Sequence, residues 1–267
     1  MILSTLLSQK EQLAPALRSS VSRVYLEYDL VPDTEFPEIT QVVKEAGKEV
    51  FLAFPYIVRS WTAHTVENAL ENIEKAGFTG FLVRSLESLA FLKEHGIKGE
   101  IVSDHTLYGF NGHAVSVLKD MGIDRVTVPL ELNRAEISET GFQNEEMVLY
   151  GRTPMMITEN CVHKTLRGCD KRNAESVLTD RMGHKLPVLS KCAFCYNVIY
   201  NALPLNLCDA YKDIRAFGLQ AARMDFTMES REETERILFE FDRAFLRGLP
   251  VTASGEFTRL HFKRGVE

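Results

Sequence analysis

The sequence predicts an α/β fold, a (β/α)8 barrel of the TIM type. Eight short apolar runs alternate with helix-patterned segments, at a spacing of roughly 25 residues. The runs are apolar on both faces, as strands buried beneath helices are. No G-x-G-x-x-G follows any run, so the chain lacks the phosphate fingerprint of an open doubly wound sheet.

The first run is residues 2–7. Residues 9–18 then read as a helix with Leu13, Ala14 and Leu17 on one face. The second run, 24–30, is closed by Pro32. The helix over 36–46 stops at Gly47. Run three is 50–55, and the helix over 63–75 aligns Val66, Leu70 and Ile73 before Gly77. Run four is 80–84 with a helix over 86–94. Run five is 100–104 with a helix over 112–119. Run six, 125–129, precedes a short helix over 134–140, and run seven is 147–150. The eighth run, 222–227, leads into a last helix over 230–247, where Ser230 and Glu233 form a capping-box pattern. The tail from Leu249 is expected to be irregular or a short β segment.

Residues 159–221 are too many for an ordinary βα loop. They predict a cysteine-bearing excursion between strands 7 and 8, with one or two short strands from Val188-Leu189 and 196–207. Residues 1–267 are expected to form a single barrel domain around it.

Composition sets bounds. A length of 267 residues suits one large domain or two small ones, and 45% hydrophobic content is ordinary for a globular protein. No apolar run reaches the roughly 18 residues of a membrane span. The formal charge of −6 does not advertise nucleic-acid binding by the whole surface, and a local basic patch stays open. No secretory signal precedes the cysteines, which predicts a cytoplasmic protein.

Four of the five cysteines lie between Cys161 and Cys195. Cys192-Ala-Phe-Cys195 is a CxxC pair, spaced to bind one metal or one cluster, with Cys161 and Cys169 upstream. His163, Lys164, Arg167, Lys171, Arg172 and Lys191 are interspersed, and positive charge favours the ligating thiolate. A redox dithiol and a pair of disulfides are the other readings; disulfides are rare in the cytosol. Cys208, in Leu205-Asn-Leu-Cys208, reads as a buried thiol.

Barrel enzymes carry their chemistry at the C-terminal ends of strands. Those ends offer Glu27 and Asp29, Arg59, Arg84, Asp104 with His105, Glu131 with Asn133, Arg152, and Asp225 with Glu229. Arg59, Arg84 and Arg152 suit a carboxylate or phosphate. Asp104, Glu131 and Asp225 are candidate catalytic bases, or ion-pair partners of those arginines. Asn133 and Glu229 join the candidate substrate-binding set. His105 could titrate near neutrality. His64, His95, His113 and His184 read as surface or structural. Tyr56, Trp61, Tyr108, Phe110, Tyr196 and Tyr200 fall near loops, where they could stack on a flat ring or pack the excursion. Neither HExxH nor GxSxG occurs, so neither zinc-peptidase nor serine-hydrolase chemistry has a signature.

Several stretches together carry a family resemblance. They are 150–161 (Tyr-Gly-Arg-Thr-Pro-Met-Met-Ile-Thr-Glu-Asn-Cys), Asp180-Arg-Met-Gly183 before Pro187-Val188, 195–204, Arg223-Met-Asp-Phe-Thr-Met-Glu229 and 258–265. The chain resembles the U32 peptidases, also called collagenase-like proteases, along nearly its whole length, and above all the carboxy-terminal U32 module of long bacterial members. That implies a possible place within a longer parent chain. Several relatives act in oxygen-independent hydroxylation of RNA bases or of the ubiquinone ring and carry a four-cysteine [4Fe–4S] site. The resemblance therefore implies that Cys161, Cys169, Cys192 and Cys195 hold a [4Fe–4S] cluster, with Zn²⁺ as the alternative. Arg59 lies in Phe54-Pro-Tyr-Ile-Val-Arg59, where members often read Leu-Pro-Arg. Tyr150-Gly151-Arg152 stands where smaller relatives have His-Gly-Ala, so that histidine's role does not carry over.

Three functions are expected from this. The first is iron–sulfur-dependent hydroxylation of an RNA base. Arg59 and Arg152 would hold an anion, Asp104, Glu131 and Asp225 would position groups or move protons, and the basic residues around Cys161 would meet phosphate. The second is a metal-assisted peptidase. The third is a non-catalytic module that docks RNA or other domains of a parent chain.

Overall fold

The computed structural model describes residues 1–263, so Arg264 and Gly265 of the resembling carboxy-terminal stretch lie outside the described residues. The main sheet contains β1 (Ile2–Leu7), β2 (Arg23–Glu27), β3 (Glu49–Ala53), β4 (Gly80–Val83), β5 (Glu100–Ser103), β6 (Arg125–Val126) and β7 (Glu146–Gly151). Four strands of a second sheet follow: β8 (Pro154–Thr158), β9 (Glu175–Thr179), β10 (Lys185–Lys191) and β11 (Tyr196–Tyr200). β12 (Leu205–Asn206) and β13 (Ala221–Phe226) rejoin the first.

The main sheet runs β12-β7-β13-β1-β2-β3-β4-β5-β6. Its strands pair in parallel except for β12, which lies antiparallel on the upper end of β7. The sheet curls until its ends nearly meet. β6 continues into Thr127, which bridges Glu146 at the start of β7, and Val128 N–H donates to the Glu146 carbonyl at 2.8 Å. The next residue, Pro129, has no N–H to give, and the pairing stops there. The predicted sixth strand over 125–129 is therefore shorter than expected. The sheet has nine strands rather than the eight of a simple barrel, because β12 lines β7 where β6 no longer reaches.

The helices are α1 (Leu13–Arg18), α2 (Phe36–Glu45), α3 (Ala63–Asn68), α4 (Leu70–Ala76), α5 (Leu86–Glu94), α6 (Gly112–Asp120), α7 (Arg134–Thr140), α8 (Val162–Arg167), α9 (Tyr211–Ala216) and α10 (Arg231–Phe241). Side-chain caps start several of them. Ser85 accepts from Ser88 N–H, Asn111 from Ala114 N–H, and Ser230 with Glu233 closes the expected capping box. The segment 63–75 is two helices broken at Ala69 rather than one. The last helix ends at Phe241 and passes into a π-turn over Asp242–Leu246. Among the described residues no helix is long and apolar enough to cross a membrane.

Strand alternation splits the interior in two. One set, including Val24, Leu26, Val50, Leu52, Phe81 and Val83, faces the helices. The other set, Leu6, Tyr25, Phe51, Ala53, Leu82 and Val102, points inside the curled sheet as a small apolar plug. Below the plug, Arg23 pairs with Glu49 at 2.8 Å and Glu100 at 2.9 Å, and Arg125 pairs with Glu100 at 2.8 Å. Above it lies a second charged layer, described below.

The excursion starts and ends earlier than the expected 159–221. The chain leaves the main sheet after Gly151 and returns at Leu205, so 205–221 belong to the main body. In between stands an antiparallel sheet in the order β8-β11-β10-β9, which is four strands where one or two were expected. Polar ties hold this lobe against the strand ends. Lys191 Nζ meets Asp29 at 2.7 Å, Asn173 donates to Asp29 at 2.8 Å, and Gln9 donates to Glu175 at 2.8 Å. The Phe194 ring packs edge-on against Tyr28.

Gly151 marks the point of departure. Its φ is +139°, and a Cβ there would lie 2.4 Å from the Asp225 carbonyl oxygen and 2.9 Å from the Asp225 Cβ. Gly151→Ala is expected to push β13 away from β7 and to cost about 2 kcal/mol or more. Urea unfolding of the two proteins, compared at constant m-value, checks this.

Candidate functional site at the open end of the sheet

The upper charged layer is built from strand ends. Arg84 follows β4 and is fully buried. Its guanidinium grips Glu27 with two bonds of 2.7 and 3.0 Å and Asp104 at 3.0 Å, and it lies over the Tyr56 ring at 4.1 Å. Arg223, on β13, is also fully buried. It reaches Asp104 at 2.5 Å, Asp225 at 2.8 Å and Glu146 at 3.3 Å. Arg223 was not singled out in the sequence. The signal was there: Arg223 and Asp225 are spaced i, i+2 on an apolar strand and so share one face.

The two carboxylates on Arg223 end in opposite states. Burial opposes ionisation of Asp104, yet Arg223, His105 and Arg84 outweigh it and hold its carboxyl well below the usual range. Burial pushes Asp225 up to about 7; Arg223 pulls the other way, and the charge on Asp104 adds to the rise. One guanidinium shared between two acids favours ionising only one of them first. Asp225 keeps 16% of its side chain exposed, so it is reachable. A small pocket opens on it, lined among others by Tyr56, His105, Arg152, Tyr200 and Thr227. Burial lowers His105, against the opposing pull of the charge on Asp104.

The remaining candidates fall into place around this centre. Arg152 lines the same pocket and donates to the carbonyls of Asn201 and Ala202. Glu131 acts electrostatically on His105, and its Oε2 is buried without a hydrogen-bond partner among the described residues. Arg59 pairs with Glu159 at 2.5 Å and ties the third loop to the lobe. Asn133 is the cap of α7, accepting from Ala135 and Glu136 N–H. Glu229 holds its own turn, accepting from Thr227 N–H at 2.7 Å, Met228 N–H at 3.1 Å and the Tyr150 hydroxyl at 3.1 Å. Asp225 and Arg152 thus line the pocket, Asp104 and Arg84 lie in the buried charged layer, Asn133 and Glu229 hold a helix cap and a turn, and Arg59 reaches the lobe.

The five cysteines are free thiols. Cys208 is buried, as expected, and burial pushes it up to about 12. Cys161 caps α8, with its Sγ accepting from Lys164 N–H at 3.3 Å. Cys192 and Cys195 stand on the tight turn between β10 and β11, where Cys195 has φ +54°. Cys192 is pushed up to about 11 by burial, and next by Cys161, Cys169, Asp170 and Cys195. Cys161, Cys169 and Cys195 are thus near enough to act on Cys192. Their sulfur-only chemistry fits Zn²⁺ or an iron–sulfur centre. Among the described residues no group of three or more His, Cys, Asp or Glu side chains is gathered into a set able to hold a metal ion.

Comparison with known proteins bears on the family and the fold. The model of the family described as peptidase family U32 matches residues 21–245. No curated protein matches the chain. Among solved structures, the U32 peptidase Mk0906 is similar over 86% of this chain and 94% of its own, with a TM-score of 0.52 and 14% identity. A 3-hexulose-6-phosphate synthase is similar over 92% and 100%, with a TM-score of 0.50 and 12% identity. At these identities the likenesses speak for the fold alone.

Proposed function

Since the chain belongs to peptidase family U32, we propose that it is an enzyme of the hydrolytic class for which that family is named, with Asp225 as its proton-transfer group. The observation that carries this is a reachable carboxyl in a pocket at the strand ends, held near pH 7 by its surroundings. A general base works best when its pKa lies near the operating pH. Ionised Asp225 takes a proton from water, and the water oxygen attacks the carbonyl carbon of the peptide bond. The Arg152 guanidinium supplies positive charge for the oxyanion that forms. Protonated Asp225 then gives its proton to the leaving amine. In this reading the curled sheet works as a closed barrel, sealed between β6 and β7, with the cysteine lobe as a roof beside its mouth.

The test is hydrolysis of denatured collagen by the purified chain across a pH series. The expected result is a rate that rises with pH through about 7, because the base must lose its proton before it can accept one. No cleavage at any pH would overturn the reading.

A second reading is favoured by the lobe. Residues 152–204 carry eight Lys or Arg against four Asp or Glu, a local positive excess in a chain of formal charge −6. They also carry Cys192 and the three thiols that act on it, Cys161, Cys169 and Cys195. We propose as the alternative that Cys161, Cys169, Cys192 and Cys195 hold an iron–sulfur centre and that the chain hydroxylates an RNA base, taking the oxygen atom from a hydroxylated organic donor that leaves reduced by two electrons; Zn²⁺, which has no redox chemistry, would only brace the lobe. When bound, an iron–sulfur centre supplies electron transfer. The lobe's cations would meet the phosphate backbone, and Asp225 would move the proton. Cys192→Ser separates the two readings. Under the hydrolytic reading, collagen cleavage survives it. Under the alternative, the visible absorption of an anaerobic preparation is lost, together with one hydroxylated nucleoside in cells complemented with the variant.

A further inference from the structure

The loop after β5 carries an exposed aromatic pair that the mouth chemistry does not use. Tyr108 and Phe110 are 53% and 39% exposed, and their rings stack at 5.6 Å with only 6° between the planes. Exposed large rings held parallel leave apolar faces uncovered. Tyr108 also has φ +50°, a backbone state that non-glycine residues adopt at a cost.

The loop is pinned on both sides. Asp104 accepts from His105 N–H at 2.9 Å, Thr106 Oγ1 donates to the Arg84 carbonyl at 2.9 Å, and Asn111 caps α6. Leu107 packs against the core. The rings therefore sit on a rigid base, three and five residues beyond His105, which lines the mouth pocket.

We infer that Tyr108 and Phe110 form a docking platform for an aromatic or large apolar side chain of a polypeptide substrate, beside the mouth where its backbone is cut. This rests on the hydrolytic reading of the mouth. Charge selects the occupant. Residues 104–118 contain no Lys or Arg, and the next loop, 127–133, offers only Glu131 as a charge. These two loops offer no Lys or Arg of their own to the phosphates of a stacked nucleic acid, whereas a peptide brings no phosphate. Rigid aromatic faces bind such side chains with little ordering cost.

The test uses the full chain carrying Asp225→Asn, so that binding is read without turnover. Calorimetry compares a capped hexapeptide with a central Phe and the same peptide with Ala there. The Phe peptide is expected to bind about tenfold tighter. Adding Tyr108→Asn should erase that preference while thermal stability holds or rises, since Asn adopts the left-handed backbone at lower cost than Tyr. Equal affinity for the two peptides, no binding of either, or a preference that survives Tyr108→Asn would overturn the platform. So would a single-stranded oligonucleotide that binds and is released by Tyr108→Asn, which assigns the rings to nucleobases. The hydrolytic reading fails separately: ring-dependent binding without cleavage by the unmodified chain sinks hydrolysis and leaves the platform. Cleavage indifferent to Phe or Ala and to Tyr108→Asn does the reverse.

Discussion

Arg223→Leu is expected to cost on the order of 3–5 kcal/mol at pH 8, enough to unfold much of the protein. The guanidinium is fully buried and faces three carboxylates, Asp104, Asp225 and Glu146. Leucine fills part of the space and leaves those acids with less positive charge to offset their burial. Asp104 retains Arg84 at 3.0 Å, while Asp225 loses the guanidinium that opposes its rise. The expected loss therefore depends on pH. Stranded carboxylates can take up protons, so the deficit against the unmodified protein should shrink as pH falls from 8 toward 5. In the unmodified protein Asp104 has a depressed pKa. Its contribution is present above the ordinary carboxylate range and is lost as pH falls below it. Urea unfolding at pH 8 and pH 5 for both proteins gives the comparison. A deficit that stays constant, or one below about 1 kcal/mol, would show that the network is not holding the sheet.

Asp225→Asn should remove activity and keep the fold. Loss of the proton-transfer group is expected to lower kcat/KM by about 10²–10⁴ and to abolish the rising limb near pH 7. Its effect on stability has the opposite sign from that of Arg223→Leu. The folded pKa of Asp225 is about 7, above its ordinary value of 3.8, so the fold favours the protonated form. That contribution is fully present below the ordinary value and is lost as pH rises through about 7. Asparagine resembles the neutral acid and is expected to be at least as stable as Asp225 at pH 8. A pH–rate series and urea curves at pH 8 and pH 5 check both halves. A variant that unfolds at pH 8 would mean that Asp225 is structural. One with an unchanged rate profile would remove it from the chemistry.

The Cys161–Cys195 stretch stood out in the sequence as the chain's densest chemistry, and it forms a lobe of its own. Its spacing announced thiols that could share one partner. In the fold Cys161 caps α8, Cys192 and Cys195 share one turn, and the other three thiols act on Cys192. Spacing fixes only how far apart ligands can be, and rotamers choose where the sulfurs point.

What the sequence by itself determined was local. Apolar runs of strand length, helical periodicity and caps such as Ser230–Glu233 placed most elements, because each depends on residues a few positions apart. It also put Asp104 and Asp225 at strand ends. It did not show the short β12, the four-stranded lobe, or the break at Ala69. Nor could it sort the charged strand ends. Asn133 became a helix cap and Glu229 a turn holder, while Arg223, noted only as the start of a resembling stretch, became the centre of the network. Arg223 and Asp104 are 119 residues apart in the chain and touch only because the sheet curls back on itself. Whether an acid is ionised depends on what buries it and which guanidinium it shares, and both are properties of the folded chain.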